Sequence, residues 1–305
     1  MNSRINNRKQ PAAISIENLY HPGGLIPLLQ MHNLHLSRSM GQNFLLSRKT
    51  MQDIIERLNF SHEQPILEIG PGLGHLTWVL LENGFTVIAL EKDRTFVPVL
   101  KQLAGQAGFH ERLTILEQDA TRTDYFALQH EHSIRHIIGN LPYYAVVPIV
   151  FNIAYSGATF HSLGFMVQKE VGERIAAQQG NRNYGRLSIV LNYLFDIKKI
   201  KHLPPQAFFP APRVESVFLQ FVPRSSASIE FARQFLERVV QIGFMHRRKK
   251  LRKQMLGGII QKRVLDENLL TRLEKNFSLD QRAEQWSVQT WIEFAEAIQN
   301  TPPRE

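Results

Sequence analysis

Asn140-Leu141-Pro142-Tyr143 follows directly on the apolar run from Ile134 to Ile138, and the loop Glu68-Ile69-Gly70-Pro71-Gly72-Leu73-Gly74 closes an earlier apolar run. An amide, a stiffening proline and an aromatic ring at a strand end can hold a planar amine. The glycine loop can hold a methyl donor. Either motif alone is weak. Their order, with about seventy residues between them, fits one doubly wound sheet carrying both at its carboxyl edge, and the chemistry they suit is methyl transfer to an amine.

An aromatic amine is a poor nucleophile because its lone pair is delocalised into the ring, so geometry and hydrogen bonding must help. The Asn140 side-chain oxygen and the main-chain carbonyl of Leu141 or Pro142 can accept the two amine hydrogens and aim the lone pair, while Tyr143 stacks on the base. Asn140 is no general base, because an amide does not titrate usefully; the proton leaves to water after transfer. The plain alternative is a proline turn after a strand. A base that leaves its stack needs a second aromatic face. Phe208, in Ala207-Phe208-Phe209-Pro210-Ala211-Pro212, is the candidate, with Phe209 as the alternative inward ring and ordinary core packing as the plain reading.

On the donor side, a strand stopping at Gly70-Pro71-Gly72-Leu73-Gly74 and passing into a helix bares backbone amides at the helix start. Glu91, 21 residues after Gly70, closes the next strand and can accept from two ribose hydroxyls. Dinucleotide binding shares these features but expects a small residue where His75 stands, which favours S-adenosylmethionine. Asp119, after a third strand, can accept from the donor's adenine amino group; a plain turn aspartate is the alternative.

These groups need a scaffold, and the chain has one. At 305 residues with 43% hydrophobic content, one large domain and one small one are expected. No run approaches the roughly 18 apolar residues of a membrane span, so the expectation is a cytoplasmic protein. There is no cysteine, which removes disulfides, thiolate metal sites and a thiol nucleophile of the kind pyrimidine C5 methylation uses. The twelve histidines are scattered, and no metal is expected. The net charge of +9 points to an anionic partner. Between Arg238 and Val264 stand nine Lys or Arg and no Asp or Glu. Solvated helix faces usually mix signs, so Arg247, Arg248, Lys249, Lys250, Arg252 and Lys253 are read as phosphate contacts.

Residues 1–24 read as a loose basic tail ending in the turn His21-Pro22-Gly23-Gly24, followed by a short helix over Leu25 to Leu36. Arginine is too sparse to favour a transit peptide. A helix is expected over Thr50 to Leu58, and strands over Pro65–Ile69, Thr86–Leu90, Leu113–Leu116, Ile134–Ile138, Leu163–Val167, Phe195–Ile200 and Ser216–Val222. Short apolar strands alternating with helices predict a mostly parallel seven-stranded α/β sheet of the Rossmann-like kind covered on both faces. Ser225-Ser226-Ala227-Ser228 reads as a linker to a small all-α C-terminal domain cored by Phe231, Phe235, Val239, Ile242, Trp286, Trp291 and Phe294. The expected division is an extension over 1–36, a methyltransferase domain over 37–223 and a helical rRNA-binding domain over 224–305.

From about Leu25 to Leu256 the chain resembles the KsgA-type small-subunit ribosomal RNA adenine N6-dimethyltransferases. The motifs agree in order: Gly41-Gln42-Asn43-Phe44-Leu45, Glu68 to Gly74, Glu91-Lys92-Asp93, Gln118-Asp119-Ala120, Gly139 to Tyr143, Gln168-Lys169-Glu170, Tyr184-Gly185-Arg186-Leu187-Ser188, Phe208 to Pro212 with Val214 and Ser216, and Arg247-Arg248-Lys249. The resemblance implies a class I methyltransferase fold and two successive methyl transfers from S-adenosylmethionine to each of two adjacent adenines near the 3′ end of small-subunit rRNA, in the late pre-30S particle. It implies donor contacts from Asn43, Leu45, Gly70, Glu91, Asp119 and Asn140, an rRNA-docking role for the helical unit, and a monomer. The chain departs from the family pattern at Tyr144-Ala145-Val146-Val147, where an amide and a Ser-Thr pair are usual, and at Arg38-Ser39-Met40, where more basic residues are usual. Rival readings are a large-subunit rRNA methyltransferase, for which isoleucine at Leu141 would be more usual, a DNA adenine methyltransferase, and a non-catalytic assembly or transcription factor on the same fold.

Overall fold

The computed structural model describes residues 15–36, 42–142 and 144–302. Its strands are β1 (Phe44–Leu45), β2 (Ile66–Ile69), β3 (Val87–Glu91), β4 (Leu113–Glu117), β5 (His136–Asn140), β6 (Ser162–Gln168), β7 (Phe195–Leu203), β8 (Phe208–Phe209), β9 (Ser216–Pro223), β10 (Ile259–Ile260) and β11 (Arg263–Val264). Seven form one sheet in the order β4-β3-β2-β5-β6-β9-β7; β9 runs antiparallel to both neighbours and the other pairs are parallel. The chain enters at β2, builds outwards to β4, then returns to β5 on the other side of β2. That reversal opens a crevice at the carboxyl ends of β2 and β5, the place where open α/β sheets bind ligands.

Alternation along the strands explains why both faces are covered. Ile66, Val87, Ala89 and Ile138 pack into one core layer. Leu67, Ile88, Leu90 and Ile137 pack into the other. The first layer is closed by α2 (Arg48–Leu58), α3 (His75–Glu82) and α4 (Val97–Gln106), and the second by α5 (Tyr125–His132), α6 (Val146–Tyr155) and α8 (Arg186–Leu194). The short α7 (Lys169–Ile175) lies between β6 and α8. Helix α2 has the amphipathic face the sequence predicts: Met51, Ile54, Ile55 and Leu58 are buried, Ser47 caps its start and Asn59, at φ 48°, ends it.

The N-terminal expectation needs correction. Residues 15–24 form a 3-10 turn at Ile16–Tyr20 and then the start of α1 (Pro22–Met31), which begins and ends earlier than Leu25–Leu36. Proline costs nothing at a first helical position, where no N–H bond is needed, and His21 Nδ1 accepts from the Gly24 N–H. Gly24 lies so close to the Asn18 main chain that a Cβ would not fit, so the glycine serves packing inside the helix.

After β9 the chain is helical, with one hairpin. Segment α9 (Ile229–Phe231) passes through a π turn at Ala232–Leu236 into α10 (Glu237–Gly243), followed by α11 (Leu251–Met255), the β10–β11 pair, α12 (Glu267–Leu273) and α13 (Val288–Gln299). Phe231, Phe235, Val239, Ile242, Trp286, Trp291 and Phe294 share one core, as their spacing predicts. That core also takes in Ala177, Tyr184 and Ile189 from before β9, so α8 packs into both the second layer and this core. The serine-rich stretch is fastened: the Ser228 N–H donates to Tyr193 Oη, and its Oγ caps Phe231.

Candidate active site

Register puts the motifs at one level. Ile69 of β2 is level with Leu90 of β3 and with Gly139 of β5, so Gly70, Glu91 and Asn140 come next on three adjacent parallel strands, side by side at the carboxyl edge. Strand β5 reaches two residues beyond the apolar run and ends on Asn140 itself. One cavity is lined by Gly70, Gly72, Glu91, Asp119, Asn140 and Pro142. Asn43 and Leu45 join its wall.

The glycine loop is shaped for close approach. Gly70 and Gly72 have φ of 70° and 58°, and a Cβ on Gly72 would stand 2.6 Å from the Phe44 ring. The Gly72 N–H donates to Glu91 Oε2 and the Asp93 N–H to Oε1, both at 2.8 Å. These bonds aim the carboxylate and leave each oxygen a further lone pair for a hydroxyl. Burial pushes the Glu91 carboxyl up, and the two backbone donors oppose it. Asp119 accepts from the Thr121 N–H and Oγ1 on one oxygen and meets Lys92 Nζ at 2.8 Å on the other. The Lys92 contact leads in holding its carboxyl down at about 2.

On the acceptor side, Asn140 Nδ2 donates to the Asn43 carbonyl at 2.7 Å. That bond fixes which way round the amide sits, and so makes Oδ1 the acceptor that an amine requires. Pro142 lines the cavity, whereas the Leu141 side chain is in the core. Tyr143 lies outside the described residues, as do Arg38, Ser39 and Met40. The Phe208 expectation is corrected. Its ring is 4% exposed, packed in the first core layer and absent from the cavity wall, because β8 pairs with β1 and turns Phe208 inward opposite Leu45. Phe209, opposite Phe44, keeps partial exposure. Tyr144, 58% exposed, stands in the cavity wall, while Ala145 and Val146 fill the second core layer.

The basic block divides. Arg247 pairs with Glu284 at 2.7 Å and donates to the carbonyls of Asn181 and Tyr184; Arg252 pairs with Glu267 and Glu274; Lys250 meets Asp280 at 3.0 Å. Folding brings in acids that lie outside the 238–264 stretch, so the unmixed sign of that stretch does not survive on the surface. Arg248, Lys249 and Lys253 are exposed and have no ion pair among the described residues.

Residues to which the sequence pattern assigns no role also shape the cavity. Gln42 Nε2 donates to Asp93 Oδ2 at 2.9 Å, and Phe44, His75, Lys92 and Tyr144 line the wall. Glu68, also in the wall, is buried with Oε2 unpartnered among the described residues, and burial pushes its carboxyl up to about 8. Its place in the Glu-x-Gly-x-Gly motif was the available signal. A buried acceptor without a donor, a carboxylate with spare lone pairs and a glycine cradle fit S-adenosylmethionine, which brings an ammonium and two ribose hydroxyls. Among the described residues no group of His, Asp or Glu is arranged to hold a metal, and no helix is long and apolar enough to cross a membrane.

Residues 33–298 match the family described as Ribosomal RNA adenine dimethylase. The Ribosomal RNA small subunit methyltransferase A of Halothermothrix orenii is 32% identical over 86% of this chain and 87% of its own length. The protein of that name from Rhizobium etli is 38% identical over 77% of this chain and 87% of its own. A dimethyladenosine transferase from Plasmodium falciparum, at 23% identity and a TM-score of 0.71 over 81% of this chain and 94% of that one, shares the fold. The matched stretch holds the glycine loop, Glu91, Asp119, Asn140 and most of the helical unit, and this chain belongs to the ribosomal RNA adenine dimethylase family.

Proposed function

We propose that this protein dimethylates the N6 amines of two adjacent adenines near the 3′ end of small-subunit rRNA, using S-adenosylmethionine, in the late pre-30S particle. The observation that carries the reading is the level placement of Gly70, Glu91 and Asn140 on neighbouring strands, with the Asn140 amide already oriented. The donor supplies an electrophilic methyl on sulfur. Glu91 holds its ribose, the Gly70–Gly74 loop admits its amino-acid end, and Asp119 takes the adenine amino group beside Lys92. Asn140 Oδ1 and the Leu141 or Pro142 carbonyl accept the two N6 hydrogens and turn the lone pair towards the methyl. A bond forms from N6 to carbon as carbon leaves sulfur, and one N6 proton passes to water. In a second round the monomethylated amine donates its one remaining N6 hydrogen to one of these acceptors, nitrogen again takes the methyl carbon as it leaves sulfur, and that last proton passes to water. Tyr143 is assigned to one face of the flipped base.

Docking is assigned to the helical unit from residue 224 onward, through Arg248, Lys249, Lys250 and Lys253, with Arg247 and Arg252 holding that unit together. This reading takes the protein to act in the cytoplasm as a monomer. The test uses labelled donor with undermethylated 30S subunits, and labelled adenine in the small-subunit RNA is expected. Preferential labelling of large-subunit RNA or of DNA would reassign the substrate.

A further inference from the structure

The N-terminal segment Ser15–Met31 lies before residue 33, where the family match begins, yet it reaches the donor cavity through one side chain. His75, in the cavity wall, is 3% exposed. Its Nε2 is 3.0 Å from the Leu19 carbonyl, and its own carbonyl accepts from Tyr20 Oη at 3.0 Å. The Tyr20 ring meets the imidazole edge-on at 5.8 Å. On its other contact the imidazole lies parallel to Phe44, with centroids 4.7 Å apart and planes 12° from parallel. Phe44 is the ring packed over Gly72, and it follows Asn43, whose carbonyl orients Asn140. The segment is itself fastened: Arg48 sits 4.9 Å over the Tyr20 ring while paired to Glu17 and Glu82.

We propose that Ser15–Met31 is a strap that sets the donor site, with His75 as the positioning residue between the strap and the Asn43-Phe44 wall. This rests on the methyl-transfer reading only for the identity of the donor. An alanine at 75 would leave room for Phe44 to tilt, releasing both the Gly72 face and the carbonyl that Asn140 needs. Burial holds the imidazole down at about 4, so it is neutral at ordinary pH and Nε2–H is the donor to Leu19. The role belongs to the neutral ring. It concerns the donor and leaves the RNA-docking face alone, because the strap touches the glycine-loop side of the sheet and the exposed cations belong to the helical unit.

The test compares full-length wild type with His75→Phe, which keeps the stacked ring and loses the bond to Leu19, His75→Gln, which can restore an N–H donor, and Tyr20→Phe. Calorimetric binding of S-adenosylmethionine, binding to 30S subunits, and thermal midpoint without ligand are measured on each. His75→Phe is expected to weaken donor binding by about 10-fold, the scale of one buried hydrogen bond, with His75→Gln recovering most of it and Tyr20→Phe losing a few-fold. Affinity for 30S should stay within about twofold, whereas kcat at saturating donor should fall in His75→Phe and recover in His75→Gln, following the hold of the Asn43 carbonyl on Asn140. Donor affinity unchanged in folded His75→Phe would overturn the strap, and so would a loss explained by an equal fall in 30S binding and in thermal midpoint. Wild type that binds the donor but methylates no 30S would sink the substrate reading alone; wild type that binds no donor would sink both.

Discussion

At the scale of the residue, the decisive group is the Asn140 amide, because its two ends do opposite things. Nδ2 is committed to the Asn43 carbonyl, which leaves Oδ1 as a pure acceptor. Asn140→Ala should lower transfer by about 100-fold or more, the scale of losing one preorganised polar group, while rRNA binding measured by filter retention stays nearly intact. Equal loss of both would refute the division between chemistry and docking. Glu68 makes a different prediction. Its carboxyl rises from 4.5 to about 8 on folding, so the folded state favours the protonated form. That contribution to stability is complete below the unfolded value and is lost as pH rises through about 8. Glu68→Gln, which copies the neutral acid, should therefore flatten the decline in urea-unfolding stability between about pH 5 and 8. Parallel wild-type and variant curves would show that Glu68 is ionised in the fold. Asn140, Glu91 and Asp119 were legible in the sequence because each closes or follows an apolar run. The Asn43–Asn140 bond was not, because it joins residues 97 apart.

At the scale of the element, strands were easier to read than their partners. Runs such as Leu163–Val167 are apolar on both faces and end in polar residues, which marks a buried strand. The pairing of β1 with β8 left no such mark: two-residue strands have no period, and only the fold brings Phe44–Leu45 to Phe208–Phe209. That pairing is why Phe208 went to the core. Helix α1 was misplaced because Pro-Gly-Gly has the composition of a turn, whereas here proline starts the helix and glycine makes room for Asn18. The glycine loop yields the prediction proper to this scale. Gly72→Ala would place a Cβ against Phe44 at a φ of 58°, so thermal denaturation should show a loss of about 1–3 kcal/mol and calorimetry a larger loss of donor affinity. Unchanged donor affinity would mean the loop has slack that the packing of Phe44 denies.

For the whole molecule, the net charge of +9 says that an anion is near but leaves open where it binds. Composition along the chain pointed to residues 238–264, and folding redistributed that block, since Glu267, Glu274, Asp280 and Glu284 return to neutralise part of it. Neutralising Arg248, Lys249 and Lys253 together should weaken 30S binding and flatten its salt dependence by about one unit of slope for each phosphate no longer neutralised. Arg247→Ala should instead lower the thermal midpoint, because it releases Glu284 and the carbonyls of Asn181 and Tyr184. The reverse assignment of effects would show that the exposed cations merely face solvent.

The central claim, that one pocket brings a methyl donor to the N6 amine of a flipped adenine, is tested most directly by mass mapping of the product. Undermethylated 30S subunits are treated with protein and donor, and a 3′ fragment of the small-subunit rRNA is sequenced by mass spectrometry. Two neighbouring N6,N6-dimethyladenines with wild type, and none with Asn140→Ala, is the expected result. Methyl groups on another base, on another atom of adenine, or undiminished with Asn140→Ala would contradict it.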